Sequence, residues 1–430
     1  MIGFARGPGP DEQLLCDGVP VAEIARAEGT PLYIYSAEAF RTRYRAIDRA
    51  FGTYPHVLHY ALKANSTLAI ARLMRGLGSA ADANSIWEIE LARKAGFSAA
   101  DIVFTGVGKS VAELECAVPL GLKAINVESP GELDRIEAIA HRTGRVANVA
   151  VRVNPDIDAK SHPHISTGLK SNKFGMSADA VRALVRTFPA RRALRLTAIH
   201  VHVGSQITTL DPLKRAAAFL TALAAEITQL GVTLDYLDLG GGLGISYDGQ
   251  PVPSAEEYVS ALVTEVRGSG LPIVIEPGRT IAGPAGILVG RVVDVKPRDD
   301  RSEFAILDAG MTELLRPALY GAFHRIEVVD RSAKASRCRT GAEASRDTEA
   351  RYEIVGPVCE SSDVVGRDRV LPPLAVGDLL AIRDAGAYGS AMASNYNRRP
   401  FPLEVLVDNG QWRVVRRRQT LEDMIGLEQV

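Results

Sequence analysis

Residues 56–78, HVLHYALKANSTLAIARLMRGLG, set a strand, a lysine and a helix in immediate succession. Leu58, Tyr60 and Leu62 alternate with their neighbours, the period-two pattern of a half-buried strand. Ser66 is placed to cap the helix that follows. The strand's one charge, Lys63, falls where the chain leaves the sheet. A lysine there ordinarily snorkels to solvent, so its meaning depends on whether the unit recurs.

It recurs. From about residue 56 to 285 the strand candidates are HVLHYAL, SAADA, DIVFTG, KAINVE, VANVAVRVN, LTAIHVHV, LDYLDL and PIVIEP, separated by helical patterns. In SPGELDRIEAIAHRTG, Ser129 is an N-cap, Pro130 takes the first helical position, Glu132 follows three residues after the cap, and Gly144 ends the helix. Eight strand–helix units predict an α/β fold of the (β/α)8 type, over residues 36–285. An open doubly wound sheet would not need eight such units in a row.

Beyond residue 286 the texture changes. GILVGRVVDVKP, SEFAILDAG, YEIVGPVCES, DLLAIRDAGAYG, LEVLVDNG and QWRVVRR are β-rich and punctuated by Gly, Pro and Asp. They predict a mostly antiparallel sandwich or barrel formed by residues 286–430 together with 1–35. PLYIYS is read as a strand added to it, and RSAKASRCRTGAEASRDTEAR (331–351) as a surface loop.

Composition bounds the function. The chain has 430 residues, enough for two domains, and a formal net charge of -1, which gives no electrostatic reason for a nucleic-acid or acidic-membrane partner. No stretch approaches a membrane span, and the first residues lack the order of a signal peptide. Four cysteines (16, 116, 338, 359) without a C-x-x-C pair suit a reducing cytoplasm. The histidine pairs 162/164 and 200/202 lack acidic or cysteine partners at ligand spacing, so no metal is expected.

The unusual polar motifs all fall at strand C-termini, where such barrels carry their chemistry. Lys63 ends the first strand and Asp82 the second; HVGSQ (202–206) follows the sixth, GGGLG (240–244) the seventh and EPGRT (276–280) the eighth. Glycines after strand seven and the Gly278–Arg279 pair after strand eight suit an organic phosphate. A phosphate site with a lysine at the mouth points to pyridoxal 5'-phosphate held as a Schiff base. Glu276 would then sit beside the pyridine nitrogen and keep it protonated, and His202 would stack on the ring.

With these motifs in view, the chain resembles the pyridoxal-phosphate decarboxylases of alanine-racemase-type fold, and among them the diaminopimelate decarboxylases. YALKAN, STGLKSNKFGM, HVGSQ, LGGGLGI, EPGRT, RPALYGAFH, GPVCESSDV and GAYGSAMASNYNRRP have counterparts there, in the same order, from residue 60 to 400. The resemblance implies that Lys63 carries the cofactor, that Ser205, Gly241, Gly242, Gly278 and Arg279 surround its phosphate, and that Tyr388 also touches it. Asp82 matches as a cofactor-binding position. Arg279, Arg316, Tyr320, Glu360 and Tyr388 match substrate positions, and Cys359 matches the proton donor. In the family Cys359 and Glu360 come from the second subunit of a homodimer. Read without the resemblance, Cys359 is a buried structural cysteine.

The reaction implied is decarboxylation of meso-2,6-diaminopimelate at its D-centre to L-lysine. Decarboxylases of ornithine, lysine or arginine act on substrates ending in a cation, which an arginine-rich set does not suit. An alanine racemase has no use for distal binding residues, and a silent homologue has no need of Lys63, Glu276 and Cys359 together. One departure stands out: Ile86 and Trp87 replace two glycines usual between the residues matching Ser85 and Glu88, which is expected to narrow the pocket or alter substrate range. His164 lies where the family often has an aromatic residue, in a loop read as a lid.

Overall fold

The structure, a computed structural model, describes residues 3–7, 13–159, 167–168, 172–298, 302–330 and 349–429. The SHPHIS segment with His162 and His164, Cys338, and residues 331–348 of the expected surface loop lie outside the described residues. The chain divides into two compact units, Arg43–Ile245 with Pro251–Thr280, and Met1–Thr42 with Ser246–Gln250 and Ile281–Val430.

The first unit is a closed barrel of eight parallel strands: His56–Ala61, Ala80–Ala83, Ile102–Phe104, Ala124–Val127, Ala147–Arg152, Leu194–His200, Tyr236–Asp238 and Ile273–Ile275. The eighth closes on the first through Ile273↔His56, Val274↔Val57 and Ile275↔Leu58. Closure buries both faces of every strand. The first strand is therefore not half-buried as its alternation suggests: Leu58, His59, Tyr60 and Ala61 are all buried. Its odd positions enter the barrel and its even positions pack under helices.

Local signals position the helices closely. Ser129 Oγ accepts from Glu132 N at 3.1 Å and Gly144 ends that helix in the left-handed region. The Glu132 carboxylate, however, turns to the buried Lys109 at 2.8 Å. The helix after Lys63 runs Leu68–Gly76 and is entered from Thr67, not Ser66. Asn65 Oδ1 accepts from Thr67 N at 3.0 Å, so the asparagine supplies the turn chemistry expected of the serine.

The second unit is built on a nine-stranded, mostly antiparallel sheet. PLYIYS supplies its strand Leu32–Ser36, which runs antiparallel to Gly286–Pro297 and parallel to Leu403–Asp408. The 12-residue strand Gly286–Pro297 branches the sheet, pairing Leu379–Ile382 through its first half and Glu303–Leu307 through its second. A small sheet of Phe4–Arg6, Leu14–Cys16 and Val19–Pro20 precedes it. Phe4, Leu14, Cys16, Ile34, Ile287, Val289, Ala381 and Val405 share one buried core. The fold is thus a (β/α)8 barrel followed by a β-rich domain.

Candidate active site

Inside the barrel, strand alternation stacks side chains in layers. One layer is apolar and mostly small: Val57, Val103, Ala124, Ala150, Ala198, Tyr236 and Val274 cluster together. Two residues further along each of those strands comes a polar side chain: His59, Thr105, Asn126, Arg152, His200, Asp238 and Glu276, all buried. The barrel is therefore apolar at that level and ionisable one level closer to its C-terminal face.

His200, Asp238 and Glu276 meet within this layer, their ligand atoms within 4.8 Å of one another. His200 Nε2 is 3.4 Å from Glu276 Oε2. Neither Glu276 oxygen has a hydrogen-bond partner among the described residues. Burial would raise the Glu276 carboxyl, but the facing His200, with Lys63 and His59 behind it, outweighs burial and holds it below the usual carboxylate range. Burial and the charge of Glu276 push Asp238 well up. Of this acid pair, Glu276 is thus the stronger acid and Asp238 the weaker. The three donors could also hold a cation, an arrangement hidden by their dispersal over three strands.

Lys63 stands at the mouth, in a short turn (Leu62–Ala64) just past the first strand, with its side chain 31% exposed. Its Nζ is 3.1 Å from Asp82 Oδ2. Asn84 Nδ2 reaches the same oxygen at 3.4 Å, and Asn84 N donates to Glu88 Oε2 at 2.7 Å. Burial, aided by the charge of Asp82, pushes the Glu88 carboxyl up to about 7.

A backbone cradle closes the other side. A Cβ on Gly241 would lie 2.3 Å from Glu276 O, and one on Gly242, whose φ is +118°, would lie 2.6 Å from Gly204 O. A Cβ on Gly278 would meet those of Ala64 and Ala61 at 3.0 and 3.1 Å. Backbone approaches this close require glycine. Arg279 Nη2 donates to Ser205 Oγ at 2.9 Å, fixing a buried cation beside the cradle. Gly241 N donates to His202 Nδ1 at 3.1 Å. That amide orients the His202 ring and leaves any proton of the neutral imidazole on Nε2. Burial and the positive charges of Lys63 and Arg152 keep His202 well below the ordinary histidine range.

These residues fit pyridoxal phosphate. Lys63 offers the amine for the aldehyde carbon, the buried Glu276 carboxylate, whose Oε1 has no hydrogen-bond partner among the described residues, suits a ring N–H, and the glycine cradle with Arg279 and Ser205 suits the phosphate.

The remaining expected site residues belong to the second unit. Arg316 opens the helix Arg316–Tyr320 and is buried; Tyr320 ends it. Tyr388 has a left-handed backbone, φ +56°, unusual for a residue with a side chain. Cys359 is exposed, so the reading of it as a buried structural cysteine fails. Its loop is pinned by Asp363, whose carboxylate accepts from Met311 N at 2.6 Å and Val358 N at 2.8 Å. Glu360 Oε1 accepts from Ser362 Oγ at 2.6 Å.

Residues 37–283 match the family of pyridoxal-dependent decarboxylases in its pyridoxal binding domain. The chain is 43% identical to a diaminopimelate decarboxylase from Neisseria meningitidis serogroup A, over 96% of its own length and 98% of the relative's. A diaminopimelate decarboxylase from Vibrio cholerae is 41% identical over 98% of this chain and 97% of its own. The crystal structure of diaminopimelate decarboxylase from Helicobacter pylori complexed with L-lysine superposes with a TM-score of 0.88 at 39% identity, covering 95% of this chain and 98% of that one. The chain belongs to the diaminopimelate decarboxylase family.

Within that family frame, the departure at Ile86 and Trp87 takes a definite form. The two residues occupy the first turn of the helix Ile86–Ala95, whose cap Ser85 accepts from Glu88 N. Trp87 is 79% exposed. Its bulk points to solvent in the single chain. The sequence reading missed His59, Asn126, Arg152, His200 and Asp238. The signal was present: in several strand candidates a buried-type apolar residue is followed two places on by a polar one.

Proposed function

We propose that the protein decarboxylates meso-2,6-diaminopimelate at its D-centre, releasing carbon dioxide and L-lysine, the last step of lysine biosynthesis. Likeness to diaminopimelate decarboxylases along almost the whole chain carries this reading. The solved relative from Helicobacter pylori holds L-lysine.

Pyridoxal phosphate, when bound, supplies an electron sink for the pair left on Cα as carbon dioxide departs. Lys63 is the amine that anchors it, and Asp82 orients Nζ through their 3.1 Å contact. Glu276, the stronger acid of its pair with Asp238 and facing His200, would meet the ring nitrogen and favour a proton there. His202, fixed by Gly241 N, would face the ring; Ser205, Gly241, Gly242, Gly278 and Arg279 would hold the phosphate, and Tyr388 would add a further cofactor contact. Arg279 and Arg316 hold the distal carboxylate, Glu360 the distal amine, and Tyr320 and Tyr388 are further substrate positions. The Cys359 thiol gives its proton to Cα. Cys359 and Glu360 come from the second subunit of a homodimer.

The near-neutral charge supports a small-molecule partner with no nucleic acid. Among the described residues no helix is long and apolar enough to cross a membrane. The place of action on this reading is the cytoplasm, which suits four cysteines without a C-x-x-C pair. The deciding experiment feeds the holoenzyme meso-diaminopimelate, ornithine and lysine in parallel. L-lysine should form from the first alone. Comparable carbon dioxide release from ornithine or lysine would replace the reading with a decarboxylase of basic amino acids. Borohydride should fix the cofactor to the Lys63 peptide; an adduct on another lysine would remove the basis for the site.

A further inference from the structure

The sequence RPALYGAFH folds back on itself. Arg316 opens a five-residue helix, Gly321 ends it in the left-handed region with φ +59°, and the return brings His324 against the arginine that began the turn. Arg316 Nη1 and His324 Nε2 are 2.7 Å apart, both side chains buried. On the far side of the ring, His324 Nδ1 lies 2.8 Å from the carbonyl oxygen of Arg383.

These contacts determine the state of the ring. A carbonyl only accepts, so Nδ1 carries a proton and donates it to Arg383 O. A guanidinium only donates, so Nε2 must present a lone pair to Nη1. A second proton on the ring would set two N–H groups against each other at 2.7 Å. His324 is therefore neutral, with one tautomer that satisfies both neighbours. Tyr247 completes the arrangement: its ring lies under the Arg316 guanidinium, 4.6 Å from the guanidinium carbon, and meets His324 edge-on with centroids 5.0 Å apart. One edge and one face of the guanidinium are thereby fixed.

We propose that His324 is a positioning residue for substrate recognition: as an acceptor anchored to the Arg383 carbonyl, it holds Arg316, against Tyr247, in the orientation that pairs with the distal carboxylate of the substrate. The inference rests on the reading of Arg316 given above. An arginine guanidinium on a flexible stem loses rotamer freedom when it forms a two-point contact, and a rigid acceptor that fixes it beforehand lowers that cost. His324 touches neither substrate nor cofactor in this account. Its effect belongs in substrate binding, not in the chemical step.

The test compares His324→Ala, His324→Gln and His324→Asn holoenzymes, each also made in an Arg316→Ala background. Losing an acceptor for a charged donor should raise KM for diaminopimelate by on the order of ten- to a hundredfold, with kcat changed far less. Cofactor absorbance should match the parent. Glutamine places a carboxamide oxygen about where Nε2 lies and should recover most of the loss. Asparagine can reproduce only the bond to Arg383 and should not. In the Arg316→Ala background, removing His324 should cost nothing further.

Three results overturn the inference: unchanged KM in His324→Ala, recovery by asparagine as good as by glutamine, or a loss that persists without Arg316. If His324→Ala does not fold, the glutamine–asparagine comparison still decides. Normal efficiency in Arg316→Ala alone would instead overturn the reading of Arg316, whatever His324 does.

Discussion

At the scale of single residues, Glu88 shows what the barrel mouth costs. It bonds Asn84 N and is drawn in beside Asp82, so burial first and that neighbouring charge second lift its carboxyl to about 7. Because the folded value lies above the ordinary 4.5, folding favours the protonated form. Its contribution to stability is whole below about pH 4.5 and fades as pH rises through about 7. Glu88→Gln keeps an acceptor for Asn84 N and never ionises. We expect the variant and the parent to melt alike at acid pH, and the variant to gain about 1–3 kcal/mol above neutrality. Urea melts of the cofactor-free protein on both sides of neutrality measure it; an equal gap at both pH values would mean Glu88 stays ionised throughout. Residues of this kind are hard to see in the sequence. Lys63 and Glu276 were legible because each follows a strand, but the proton balance between Asp238 and Glu276 depends on three strands meeting inside the barrel. Cys359 misled in the opposite sense, since an isolated cysteine reads as core until its loop is seen pinned outward by Asp363.

A second residue-scale expectation concerns Arg316 itself. Truncation to alanine leaves a substrate carboxylate partly desolvated and should lower kcat/KM by roughly 30-fold to several thousand-fold, or about 2–5 kcal/mol. Arg316→Lys should also lose activity, because an ammonium cannot make the planar two-point contact and has a different reach to His324. Cofactor absorbance should survive both changes. Near-normal efficiency in Arg316→Ala would favour a substrate without a distal carboxylate.

At the scale of elements, the loop after the seventh barrel strand is constrained by space more than by conformation. Gly241 does not require a left-handed backbone, yet a Cβ there would run into the backbone oxygen of Glu276 at 2.3 Å. The tight contacts of a Cβ on Gly278 would be with two alanine methyls, at 3.0 and 3.1 Å, and the nearest backbone oxygen, Ala61 O, lies at 3.6 Å. Gly241→Ala should therefore cost about 1–3 kcal/mol by overpacking, displace Glu276 and the His202 ring together, and weaken pyridoxal phosphate binding far more than Gly278→Ala. Thermal melts and cofactor titration of the two variants check the ranking; equal effects would mean the loop relaxes freely. The glycine run was visible in the sequence as a ligand loop, and its eight-strand context made the barrel legible too. Two local details were not. Asn65, not Ser66, prepares the entry to the helix after Lys63, because the short Leu62–Ala64 turn shifts the helix start to Leu68. The first strand alternates in residue type yet is buried on both faces, because barrel closure replaces solvent with polar side chains inside.

At the scale of the whole molecule, the proposed chemistry asks more of one chain than its exposed thiol can deliver to itself. Cys359 faces solvent on a loop held rigidly by the Asp363 carboxylate, with Glu360 beside it tied to Ser362. A proton donor must meet a carbanion in a site from which water is excluded, and an exposed thiol meets that condition only when another surface covers it. The proposal of a shared site follows: Lys63 of one subunit works with Cys359 and Glu360 of the other. Lys63→Ala and Cys359→Ala homodimers should each be inactive or nearly so. Mixed under conditions of subunit exchange, they form heterodimers in which one site has lost both residues and the other keeps both. About a quarter of the parental activity is expected at full exchange: half of the dimers are mixed, and each mixed dimer has one intact site of two. Native mass spectrometry reports the heterodimer fraction and the decarboxylation assay reports the activity. Heterodimers present at the statistical fraction, yet no more active than either parent, would put Lys63 and Cys359 in the same subunit's site.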